Sequence, residues 1–290
     1  WSNWPYPWVC IRFTPALGDW NPKGSVEPLF QIPPLRGACF LDAACTEIYR
    51  ERLPGLVFAT VPDVCDAALP DEETAMVRTL RKRAAGRTIV FAGGGITGRK
   101  GLADLIEVIA EAHKEDFFFI LIGKIHWSTF SADEAVILRK FIRSLPENVM
   151  THFEYLEDER EFNALMAAAD IIYAVYRDFP HSSNMLAKAA HFESALLVSN
   201  KHLMGRQVEK FGLGETVREG DIDPIHKKLE ALRHFDVGPG AKRYRQNHSY
   251  SALTKALSDF LFNTLRTMDN QRRFYSTAAS GPGMKSSTTT

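Results

Sequence analysis

The chain has 290 residues, 45% hydrophobic and 24% charged, which suits one large or two medium soluble globular domains. Lys plus Arg equal Asp plus Glu at 35 each, so no global field recruits nucleic acid or anionic lipid, and any anion binding must be local. No apolar run approaches the roughly 20 residues that span a bilayer and no signal peptide is read, which predicts a cytoplasmic protein without a transmembrane segment. Cys10, Cys39, Cys45 and Cys65 fall in the first quarter, with no C-x-x-C pair and no His at ligand spacing. They read as reduced structural thiols, and no metal site is expected.

Residues 1–80 carry short strand patterns at 8–13, 38–41 and 56–60, a helical pattern at 42–52 and a Pro-rich excursion at 22–34. The chain opens on Trp1 rather than Met, with Trp4 and Trp8 close behind, so the front of something longer is expected to be missing. Residues 72–85, with Arg78, Arg81, Lys82 and Arg83, read as an exposed linking helix.

The most informative stretch is 88–102, TIVFAGGGITGRKGL. An apolar run reads as a buried parallel strand, and Gly93, Gly94, Gly95 and Gly98 let backbone amides approach a ligand where a Cβ would collide. Arg99 and Lys100 stand at the mouth of the following helix, whose free N–H groups and dipole favour an anion. Gly93, Gly95 and Gly98 formally satisfy a dinucleotide fingerprint, yet the next strand, 117–122, ends in Gly123-Lys124 with no acid to hold a ribose. The P-loop reading fails because Gly98 is followed by Arg99-Lys100-Gly101, without the Ser or Thr that holds magnesium. Two readings stay open: a turn for the phosphates of a sugar nucleotide, or a tight strand-to-helix turn and nothing more.

From 88 onward strands and helices alternate. Strands are predicted at 88–92, 117–122, 149–153, 170–176 and 195–199, and helices at 101–113, 132–144, 159–168, 183–192 and 204–210. This order predicts a doubly wound, mainly parallel Rossmann-type sheet, with ligands outside the carboxyl ends of its strands. The loops after 92, 122, 154 and 176 therefore matter most. Helices at 223–233, 240–247 and 250–267 close the domain without further strands, and 269–290 reads as a disordered tail.

Gly95-x-x-x-Arg99-Lys100-Gly101-Leu102, Phe153-Glu154-Tyr155-Leu156, Ala168-Ala169-Asp170-Ile171-Ile172 and the segment from Ser183 to Asn200, in this order and spacing, resemble the donor domain of GT-B glycosyltransferases. The likeness is to the large retaining family called family 4 or glycosyl transferases group 1, over about residues 86–235. It implies a partial acceptor-side α/β portion at 1–80 and a nucleotide-sugar-binding domain at 81–268. By position it implies that Gly94, Gly95 and Lys100 bind a nucleoside diphosphate, with Arg99 replacing an arginine that sits where this chain has Gly95. It also implies that Glu154, Tyr155 and Leu156 touch the base.

One departure stands out. The family carries two glutamates where this chain has Pro180 and Lys188, and a lysine cannot accept hydrogen bonds from ribose hydroxyls. The loop offers His181, Ser182, Ser183 and Asn184 instead, which read as a helix cap or as diphosphate ligands. Asp178 is the nearest carboxylate, and His181 is a candidate acid or base.

The resemblance thus predicts a metal-independent transfer of sugar from a nucleotide sugar, a donor substrate and not a cofactor. The acceptor would be a glycan or lipid-linked molecule, such as a polysaccharide precursor, which leaves room for peripheral membrane association. Lys188 and the short front half favour a rival reading, a non-catalytic scaffold or nucleotide-binding interaction module of the same fold.

Overall fold

The computed structural model describes residues 5–279; Trp1 and Trp4 and the Ser/Thr-rich end from 280 lie outside the described residues. The chain forms two compact units, the first running to Pro62 and resuming at Ser251, the second spanning Asp63–Tyr250. In the first, β1 (Trp8–Arg12), β2 (Leu35–Phe40) and β3 (Val57–Thr60) form a parallel sheet, with α1 (Ala43–Arg52) between the last two. Phe30, Phe40, Tyr49 and Phe58 pack ring against ring on one face, with centroids 4.6–6.3 Å apart. Phe30 comes from the Pro-rich excursion, so that stretch contributes core.

The second unit begins with α2 (Ala75–Ala84) and β4 (Thr88–Gly93), α3 (Leu102–Glu111), β5 (Phe117–Ile122), α4 (Ala132–Arg143) and β6 (Val149–His152). It continues with α5 (Glu159–Ala167), β7 (Ile171–Ala174), α6 (Asn184–Phe192), β8 (Ala195–Ser199), α7 (His202–Phe211) and β9 (Gly214–Val217), then α8 (Ile222–Leu232) and α9 (Gly238–Asn247). All six strands are parallel, in the order β6-β5-β4-β7-β8-β9. That order reverses between β4 and β7, the switch point at which doubly wound sheets bind ligands.

Alternation within the strands makes two cores. Ile89, Phe91, Phe118, Ile120 and Ile122 face one side, where α2, α5, α6, α7 and α9 pack; Val90, Phe117, Phe119 and Leu121 face the other, under α3, α4 and α8. Strand β5 is buried at every position, and each such side chain contributes roughly 1.5–3 kcal/mol of burial.

Four expectations change. The boundary falls at Pro62 and not at 80, since the segment after Asp63 is tied into the second unit: Asn163 donates its amide to the carbonyls of Asp66 and Ala68 at 3.3 and 2.9 Å. Helix α2 is no exposed linker, because Val77, Leu80 and Ala84 are buried on the sheet while the basic residues lie on its outer face. Strand β9 carries only Gly214, Glu215, Thr216 and Val217 at the sheet edge, too short and polar to show a period; Gly214 is required there, since a Cβ would stand 2.0 Å from the Leu196 carbonyl oxygen. Finally, α10 (Tyr250–Ala279) continues through residues expected to be tail, and burying Phe260 on the first unit anchors it. Among the described residues no helix is long and apolar enough to cross a membrane.

Candidate functional site

Strands β4 and β5 pair in register from Thr88–Phe117 to Gly93–Ile122, so their carboxyl ends are level and their loops start side by side. Gly94 turns the first loop at φ +86°, a conformation L side chains rarely adopt. Gly123 turns the second at φ +126°, and a Cβ on it would lie 2.0 Å from the Gly94 carbonyl oxygen. The loops therefore touch backbone to backbone. Ile96 donates its amide to the Lys124 carbonyl at 2.9 Å, His126 returns its amide to the Ile96 carbonyl at 2.9 Å, and the Gly98 amide reaches the Thr129 hydroxyl at 3.0 Å.

A cleft of about 430 Å³ opens above this double loop. Gly94, Gly95 and Lys100 line it from the first loop, and Lys124 and His126 from the second. Tyr155, Leu156, Glu159 and Phe162 line it from the segment after β6, and Asn184 and Met185 from the start of α6. The Lys100 ammonium donates to the Gly93 carbonyl at 2.8 Å and stands 4.9 Å from the Tyr176 ring centre, which fixes the charge at the mouth of the glycine turn. Facing it is the amino end of α6, where Ser183 caps the helix by accepting from the Met185 amide at 3.4 Å. A lysine, a glycine turn and a helix amino end converging on one cleft can hold an anion with at least two charged oxygens.

The other residues marked by the sequence are placed differently. Arg99 is outside the cleft lining: its guanidinium lies 4.6 Å over the Phe179 ring, and its carbonyl accepts from the Arg177 amide at 2.7 Å. His181 packs edge-on against Phe179, with centroids 5.8 Å apart. Asp178 sits at φ +44° with its side chain 90% exposed, 3.6 Å from the His202 ring, and its amide donates to Glu219 at 3.1 Å. Neither Asp178 nor His181 lines the cleft. Burial pushes the Glu219 carboxyl up, but donation from Ser199, Lys201 and the Asp178 amide outweighs it and holds the group below its ordinary value.

Ser182 turns away from the cleft and donates to Asp63, whose carboxyl is pushed up by burial against the opposing pull of Ser182 and His248. Glu154 is exposed and outside the lining, while Tyr155 and Leu156 line it. Lys188 is 1% exposed, forms an ion pair with Glu159 and lies 5.2 Å over the Phe162 ring. Its charge is consumed inside the protein, so it is a support for the cleft wall and not a surface for a ligand.

Glu159, Phe162, Lys124 and His126 were missed by sequence reasoning. The first two read simply as the start of a helix. The loop after β5 was marked as important by its position, but read only for the acid it lacks.

No protein-family model matches the sequence, nor does any curated protein. The fold, by contrast, matches solved structures of GT-B glycosyltransferases. HepE of Anabaena in complex with UDP superposes with a TM-score of 0.63 at 15% identity, over 79% of this chain and 64% of that one. Sucrose-phosphate synthase from Thermosynechococcus elongatus superposes at 0.64 and 14% identity, over 95% and 69%. A UDP-forming trehalose-phosphate synthase from Burkholderia vietnamiensis gives 0.61 and 15%, over 96% and 69%. The chain thus has the GT-B fold, and it spans about 64% of the length of HepE.

Proposed function

We propose that the cleft binds the diphosphate of a sugar nucleotide and that the chain takes part in transferring the sugar to a glycan or lipid-linked acceptor without a metal. The convergence of Lys100, the Gly94–Gly95 turn and the amino end of α6 on one cleft at the switch point carries this reading. As a glycosidic bond breaks, negative charge grows on the departing diphosphate. A fixed ammonium and fixed amides stabilise that charge without reorganising, which is where a site of this kind lowers a barrier. Tyr155 and Leu156 flank the place for a base, and the half-exposed Glu159 carboxylate, held by Lys188, is a hydrogen-bond acceptor for ribose or sugar hydroxyls. UDP is the first nucleotide to try, since the matching HepE structure holds it.

The rival, a nucleotide-binding module without catalysis, is favoured by one observation. His181, the candidate acid or base, and Asp178, the nearest carboxylate, stand outside the cleft lining. Calorimetric titration with UDP, GDP, ADP and dTDP, followed by their sugar conjugates, tests the reading, with Lys100→Ala as control. Binding that the control loses supports it, and slow release of sugar from the bound conjugate separates transferase from module. No binding by any nucleotide would overturn it.

A further inference from the structure

We propose that the loop after β5 supplies a second set of phosphate ligands, the Lys124 ammonium and the His126 ring, so that the diphosphate is gripped from two adjacent strands. This rests on the functional reading above and extends it to residues beyond the glycine turn. Of the two cations in that turn, Lys100 lines the cleft and Arg99 lies over Phe179. A diphosphate carries more charge than one ammonium matches, and Lys124 and His126 line the same cleft beside Lys100.

Their placement is fixed by backbone contacts. Residues 96 and 125 form an isolated parallel bridge, flanked by the reciprocal 2.9 Å bonds between Ile96 and its neighbours Lys124 and His126. Thr129 joins the two loops by donating its hydroxyl to the His126 carbonyl at 2.7 Å while accepting from the Gly98 amide at 3.0 Å. The segment is therefore ordered before a ligand arrives, and little freedom is lost on binding.

Gly95 completes the arrangement. A Cβ built there would meet the His126 ring first, at 3.4 Å from Nε2 and 3.7 Å from Cδ2. The imidazole thus lies in van der Waals contact with the position a β-carbon at 95 would take. Glycine at 95 leaves room for the ring and a phosphate oxygen together, with the ring N–H as donor.

The test is titration of UDP and of uridine into the parent chain, Lys100→Ala, Lys124→Ala, His126→Ala and the Lys124→Ala/His126→Ala double variant, with thermal melts to verify folding. Lys124 and His126 are both exposed, so their variants are expected to fold. UDP affinity should fall about threefold to tenfold in each single variant of the second loop and about thirtyfold or more in the double one, while uridine affinity stays unchanged. A double variant that binds UDP as the parent does, while Lys100→Ala loses it, overturns this inference alone. So does an equal loss for UDP and uridine, which would make the pair supports of loop shape. A parent that binds no nucleoside diphosphate overturns both this inference and the reading it rests on.

Discussion

The loops after β4 and β7 both lie at carboxyl ends of the sheet, and both are rich in residues that could meet a ligand, but the fold uses them in opposite ways. After β4 the backbone presents itself: Gly94 turns, Gly95 stays bare, and Lys100 is held at the cleft by a carbonyl and a ring. After β7 the polar groups find partners within the protein. Ser182 goes to Asp63, Ser183 caps α6, the Asp178 amide goes to Glu219, and Lys188 goes to Glu159.

Lys188→Glu should break this contrast most severely, because it buries a carboxylate facing Glu159; a loss of about 3–5 kcal/mol in chemical denaturation is expected. Lys188→Met keeps the volume and leaves Glu159, 56% exposed, to water, so its cost should stay within about 1.5 kcal/mol. If Lys188→Glu instead folds normally and binds nucleotide more tightly, the lysine is a ligand position after all.

Gly123→Ala attacks the interlock of the two loops, forcing a Cβ onto the Gly94 carbonyl at an unfavourable φ. It should cost about 2–3 kcal/mol and abolish UDP binding in the same samples. Lys100→Ala should weaken UDP by about 10- to 100-fold, while its melting temperature stays near the parent's.

Smaller effects belong to the loop after β7. Ser182→Ala should cost about 1 kcal/mol of stability and leave UDP affinity unchanged. Asp63 adds a pH signature. Because burial raises its folded pKa, its protonated form is favoured by folding; the associated stability is fully present below the unfolded pKa and is lost as pH rises through the folded one. Asp63→Asn should therefore gain on the parent between the ordinary carboxylate range and neutral pH, by about 1 kcal/mol or less, and the gain should vanish in acid.

The sheet was legible because its strands are apolar runs of the right length: 117–122 and 195–199 coincide with β5 and β8. Edge strand β9 was not, since a four-residue polar strand has no period to read. Within the site, Gly94, Gly95 and Lys100 were readable because glycine marks a backbone need that is local in sequence. Asn184 was readable as a residue at a helix start. The pairing of Lys188 with Glu159 spans 29 residues and that of Ser182 with Asp63 spans 119, and no local pattern signals a partner so distant. His126 was hidden for the same reason: what sets it beside the glycine turn is a contact between two loops that are distant in sequence.

Amide hydrogen exchange of the full chain with and without saturating UDP tests most directly which loop holds the ligand. Slowed exchange at 94–101, 123–129 and 184–186, with 177–182 and 199–203 unchanged, is the expected result. Slowing confined to 177–182 and 199–203 would place the ligand on the loop after β7 and contradict the site described above.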